Sequence, residues 1–158
     1  HSSTPLRDPA SWGVDECLPL SELTEAVRGA RFVVSALALA PGTEGILDEA
    51  FFRAMDRDAL FINVARGGIV DKEALLRALN EEWIMGAGLD VLWEEPHRAD
   101  DPFLTHPRAS VTPHIGGVND AAMEGTLKFI ARNAALIAEG REPAGLLNKK
   151  DRERAENY

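Results

Sequence analysis

Apolar residues fall along this chain in two patterns: short, dense runs, and longer stretches where they recur every three or four positions. Four runs read as buried strands, at residues 32–39, 59–64, 86–92 and 109–112. The first is closed by Pro41-Gly42 and the last by Pro113. Helical spacing fills the gaps. Ser21 is placed to cap a helix with the stripe Leu23, Val27 and Ala30, with Glu22 and Glu25 at its positive end. Asp48 stands ahead of Ala50, Phe51, Ala54 and Met55, and Asp71 ahead of Leu75, Leu76 and Leu79. Asn119 or Asp120 opens the longest helix, with Ala122, Met123, Leu127, Ile130, Ala131, Ala134, Ile137 and Ala138 on one face, and Gly140 ends it. Residues 4–20, broken by Pro5, Pro9, Gly13 and Pro19, read as loop with a short strand at 14–18. Residues 93–108 form a long polar connection, a length that is often functional. Residues 149–158 are charged and poor in apolar groups, as in a frayed tail.

Strands alternating with helices imply right-handed crossovers and a parallel sheet, a doubly wound α/β architecture. A length of 158 residues fits one domain, and 45% hydrophobic residues is ordinary for a globular core. The formal net charge of −9 argues against a general nucleic-acid or anionic-membrane surface. No apolar run approaches a membrane span, and the start lacks a basic-then-apolar signal pattern. Cys17 stands alone, which fits a reducing cytoplasm and leaves no disulfide framework or Cys-based zinc cluster.

One residue is out of place among the apolar runs. Arg66 puts a guanidinium at the carboxyl end of the strand at 59–64, just before Gly67-Gly68. In open parallel sheets that edge is where ligands bind, and a planar five-donor fork there suits a carboxylate. Asp90 ends the third strand, Glu95 follows five residues later, and His114 follows the fourth strand. A parallel sheet would gather all four at one edge, beside Gly116-Gly117, where backbone can approach a ligand. A carboxylate beside the imidazole would stabilise imidazolium and favour proton donation. The plainer alternatives are an Arg snorkelling over the sheet edge, an ordinary loop His, a solvated Glu94-Glu95 pair and an Asp capping a strand. A metal site of Asp90, Glu95 and His114 lacks any zinc-type spacing.

Together these residues resemble the D-isomer-specific 2-hydroxyacid dehydrogenases. The family signature Asn-x-x-Arg-Gly followed by Val-Asp is matched by Asn63, Arg66, Gly67, Val70 and Asp71. A Gly-x-x-Asp-Val segment with Glu-Pro soon after is matched by residues 86–91 and Glu95-Pro96, and Pro-His-x-Gly by Pro113, His114 and Gly116. The resemblance covers roughly residues 14–148. It implies that Arg66 holds the substrate carboxylate and 2-oxo group, that His114 is the general acid/base, and that Glu95 orients and charges it. Asp90 would contact the nicotinamide carboxamide end of NAD or NADP. Leu37 and the backbone at Val64, Ala65, Gly116 and Gly117 would lie along the cofactor. The implied activity is hydride transfer between NAD(P)H and a small 2-oxo or 2-hydroxy acid, such as glyoxylate or hydroxypyruvate, by a cytoplasmic homodimer.

The sequence also departs from the family. It has no Gly-x-Gly-x-x-Gly turn to seat a pyrophosphate, since Gly86-Ala87-Gly88 lies inside a strand. The chain therefore resembles the second half of such an enzyme: residues 1–118 as the second part of the dinucleotide-binding domain, 119–148 as a long helix returning toward a substrate domain, and 149–158 as tail. Such a half alone is expected to be inactive. His1-Ser2-Ser3-Thr4 and Arg7 would fall at the family's ribose-binding position, where hydroxyl and basic groups favour the 2′-phosphate of NADP. The stretch 37–41 is more apolar than the family's usual His-x-Pro-Leu-x-Pro, and Glu95 rather than Gln argues against the formate-oxidising branch. Two other readings compete: a nucleotide-sensing, corepressor-like interaction protein on the same fold, and a cofactor-free scaffold that only dimerises.

Overall fold

The computed structural model describes residues 9–145, so His1 to Thr4, Arg7 and the charged tail lie outside the described residues. The chain forms two compact units, His1–Pro113 and His114–Tyr158.

In the first unit, β1 (Phe32–Ser35), β2 (Leu60–Asn63), β3 (Gly86–Leu89) and β4 (Ala109–Val111) form one sheet in chain order. Every neighbouring pair is parallel, with Val33, Phe61, Ala87 and Ala109 in one register row. The parallel α/β expectation is met. Three helices accompany the sheet: α1 (Leu23–Ala26), α2 (Glu49–Ala54) and α3 (Lys72–Asn80). Two begin as the sequence reads. Asp48 accepts from the Phe51 amide and Asp71 from the Ala74 amide, each at 3.0 Å, satisfying orphan donors of the first turn.

The core lies between α2, α3 and the Phe61 face of the sheet. Phe61 meets Phe51 and Phe52 edge-on, at 6.1 and 5.2 Å between ring centres. Leu75, Ala78 and Leu79 of α3 are buried in the same cluster. The opposite face differs from the expectation of fully buried strands: Phe32 and Val34 are 67% and 59% exposed. Only the Val33 and Ser35 face of β1 is covered, and the apolar run of residues 32–39 pairs only as far as Ser35. Residues 14–18 form no strand, and Ser21 caps nothing, because it sits inside a 3-10 turn (Leu20–Glu22) led by Pro19. The connection at 93–108 is more ordered than its polarity implies. Asp101 accepts from the Phe103 amide, starting a 3-10 turn (Pro102–Leu104) that buries Phe103.

The second unit is α4 (Asp120–Ala138) with its flanking turns. Asn119 caps it by accepting from the Ala122 amide at 2.9 Å. Beyond Gly140, at a φ of 69°, the chain turns back, and the Asn133 amide pairs with both the N–H and the C=O of Ala144. The face anticipated from the spacing is present but open, with Met123, Leu127, Ile130 and Ile137 all exposed. No helix among the described residues is long and apolar enough to cross a membrane.

Candidate active site

Arg66 lies three residues beyond the end of β2, Asp90 directly follows β3, and Glu95 lies further along the same connection. Parallel pairing sends all these segments off the carboxyl edge of the sheet.

The Arg66 loop is held from several sides. Asn63, 1% exposed, accepts from the Ala65 amide and donates to the Arg66 carbonyl, both at 3.1 Å. A buried amide satisfied in this way fixes the turn that aims Arg66. On another side, the segment before α2 runs parallel to the loop. The Gly45 amide donates to Gly68, Leu47 donates to Ile69, and Asp71 donates back to Leu47, at 2.9 to 3.1 Å. The guanidinium itself is exposed, and its Nη1 donates to the Ala65 carbonyl at 2.7 Å.

Gly67 brings the Glu95 connection against this loop. A Cβ at Gly67 would lie 2.7 Å from the Trp93 nitrogen and closer still to the Leu92 carbonyl oxygen, so the two backbones touch as only glycine allows. The Trp93 indole Nε1 donates to the Val70 carbonyl at 2.7 Å. The structure thus brings together the supports of Arg66 and Glu95; Glu95 itself is exposed. Asp90 is buried, its amide donating to the Asn63 carbonyl at 3.0 Å and its carboxylate accepting from the Thr112 hydroxyl.

His114 begins the second unit, two residues after Thr112, and is exposed. Its φ of 54° is in the left-handed region, where a residue with a Cβ is uncommon and which is enriched at functional positions. Gly116 and Gly117 follow it, also exposed.

The family implied by the sequence carries a nicotinamide cofactor, and the sheet edge fits one. Ser35 ends β1 with its hydroxyl buried and without a hydrogen-bond partner among the described residues. A buried hydroxyl left open at a ligand-binding edge is a donor and acceptor in waiting. Val64 is exposed beside it, its amide donating to the Ser35 carbonyl at 3.2 Å, whereas Leu37 is half-buried against the core. Both backbone groups of Ala65 are already engaged by Asn63 and Arg66.

Sequence reasoning gave no role to Ser35, Trp93 or Thr112, treated Asn63 only as part of a signature, and marked Gly67 as a turn residue rather than as a contact with the Glu95 connection. Gly67 alone carried a signal, as a glycine beside the out-of-place Arg. Trp93 and Thr112 act through long-range pairings that no local pattern reveals.

Comparison with known proteins agrees with this geometry. Residues 6–116 match the family described as D-isomer specific 2-hydroxyacid dehydrogenase, NAD binding domain. The chain is 39% identical over 128 residues to a glyoxylate reductase of Thermococcus kodakarensis, covering 81% of this chain and 38% of that protein. It is 34% identical over 136 residues to glyoxylate/hydroxypyruvate reductase A of Yersinia enterocolitica, covering 86% and 43%. The chain therefore spans less than half the length of these relatives. A D-isomer specific 2-hydroxyacid dehydrogenase from Xanthobacter autotrophicus, solved with NADPH and MES, superposes with a TM-score of 0.71 at 31% identity, over 89% of this chain and 57% of that one. With 111 consecutive residues matched, the signature Arg on its braced loop and the parallel sheet beneath it, this chain belongs to the D-isomer specific 2-hydroxyacid dehydrogenases, within their NAD-binding domain.

Proposed function

We propose that this chain is the catalytic and cofactor-binding part of an oxidoreductase acting on a small 2-oxo or 2-hydroxy acid, of the glyoxylate or hydroxypyruvate class. The observation that carries the reading is Arg66: an exposed fork on a rigidly bonded loop at the carboxyl edge of a parallel sheet. Arg66 binds the substrate carboxylate and the adjacent oxo group, which fixes the acid in one orientation. His114 gives the proton to the carbonyl oxygen during reduction and takes it back during oxidation. Glu95 orients the imidazole for that transfer. Asp90, Leu37, Val64, Ala65, Gly116 and Gly117 line the cofactor. NAD or NADP, when bound, supplies or accepts the hydride. The exposed apolar face of α4 supports a homodimer, and the lone, exposed Cys17 supports a cytoplasmic setting.

The test is reduction of glyoxylate, hydroxypyruvate and pyruvate with NADH or NADPH by the full-length protein containing these residues, followed by nicotinamide absorbance. Arg66→Ala should lower kcat/KM by about 10²–10³-fold, the loss of two charge-assisted bonds. Turnover in Arg66→Ala equal to wild type would refute the assignment.

A further inference from the structure

We infer that Trp93 is a positioning residue that sets the spacing between the loop carrying Arg66 and the connection carrying Glu95. The inference rests on the functional reading of those two residues and adds the device that holds their supports together.

Trp93 lies two residues before Glu95, and Val70 lies four after Arg66. The indole N–H donates to the Val70 carbonyl at 2.7 Å, linking the two segments directly. Phe103 stacks on the indole, with ring centres 5.1 Å apart and planes 26° from parallel. Lys72 Nζ lies 5.5 Å from the centre of the same ring and is paired at 2.8 Å with the buried Asp101. The ring is thus held by a stack, a cation and a hydrogen bond, on two sides of the gap between the segments. The backbone contact of Gly67 with Leu92 and Trp93 closes that gap a few residues away. A phenylalanine keeps a ring to stack on Phe103 but is smaller than the indole and has no donor for Val70. The donor therefore does something packing alone would not: it sets how far the Glu95 connection sits from the Arg66 loop. An error of about 1 Å in such a spacing is enough to cost about 10²-fold in rate.

The experiment compares wild type, Trp93→Phe, Arg66→Lys and the double variant in the full-length protein, by steady-state glyoxylate reduction. Trp93→Phe should raise KM for glyoxylate about 5–20-fold while cofactor affinity, read by fluorescence titration, moves less than about 2-fold. In the Arg66→Lys background the same change should cost less than about 2-fold, because the fork whose aim it sets is gone. Gly67→Ala, which forces the same supports apart, should reproduce the rise in KM. A merely structural Trp93 would lower Tm and leave KM alone. An active wild type with unchanged KM in Trp93→Phe, or an equal penalty in both backgrounds, would overturn the inference and leave the functional reading intact. A wild type that reduces none of the 2-oxo acids would overturn the functional reading, and this inference with it.

Discussion

Gly67→Ala and Gly68→Ala form a matched pair that tests whether the two loops truly touch. Neither glycine has a positive φ, so alanine meets no backbone penalty at either position. Space alone separates them. At Gly67 the added Cβ falls 2.7 Å from the Trp93 nitrogen, inside Leu92 and Trp93 main chain that cannot swing aside. At Gly68 the nearest atoms are the Leu39 methyl carbons, at 3.4 and 3.5 Å, on a side chain free to turn. Overpacking against fixed backbone costs about 1–3 kcal/mol. Replacing glycine by alanine where the conformation is allowed returns about 0.4–1 kcal/mol by restricting the unfolded chain. Gly67→Ala should then be net destabilising by about 1–2 kcal/mol, and Gly68→Ala neutral to slightly stabilising. With a urea slope of about 2 kcal/mol/M, the first midpoint falls by about 0.5–1 M and the second rises by at most about 0.5 M. The assay is urea unfolding followed by circular dichroism, with equal slopes required. A Gly67→Ala midpoint at the wild-type value would show that the Arg66 loop does not lean on Leu92 and Trp93.

Two further outcomes follow from bonds beside and below this loop. Asn63→Ala removes the side chain that satisfies the Ala65 amide and the Arg66 carbonyl, so it should cost about 1–3 kcal/mol and speed hydrogen exchange at Ala65. Unchanged protection there would refute the pinning role. Glu49 is held below the ordinary carboxylate range, chiefly by the hydrogen bond from Arg53 at 2.7 Å; burial opposes this, and Arg77 at 2.8 Å adds to the lowering. A lowered value means its contribution is complete above the ordinary carboxylate range and is lost as pH falls through the depressed one. The Tm gap between wild type and Glu49→Gln should therefore be positive at neutral pH and close in acid. A gap that persists in acid would refute this.

The parts of the fold that were legible in the sequence are those governed by local chemistry. Asp48, Asp71 and Asn119 were readable as caps because a short acceptor before a helical pattern has one physical use, and all three accept from first-turn amides. Ser21 looked equivalent and failed, because Pro19 and a four-residue helix leave no regular first turn to cap. The strand at 59–64 was legible from its apolar run, yet the same signal at 32–39 overstated both length and burial. An apolar run records what the residues tolerate, while burial depends on which faces neighbouring elements cover. Arg66 stood out as a charge at a strand end. Trp93 and Thr112 did not, because an aromatic or a hydroxyl acquires its role only from a partner more than twenty residues away, Val70 and Asp90 respectively.

That division also explains how the proposed site is built. The backbone around Arg66 is bonded on every side, whereas its guanidinium rests on the carbonyl of its own neighbour, Ala65. A carboxylate is charged and can accept two parallel bonds from the guanidinium fork, so it binds the fork more strongly than a single neutral carbonyl does. An arriving 2-oxo acid would exchange the weaker bond for the stronger one without any shift of the loop. The rotamer freedom of one exposed side chain is then what binding must restrain, at a cost of about 0.5–1.5 kcal/mol, because folding has already ordered the main chain. Loosening the loop through Asn63 or Gly67 would add backbone ordering to that cost. Substrate affinity should consequently fall in such variants even though no group that touches the substrate has changed.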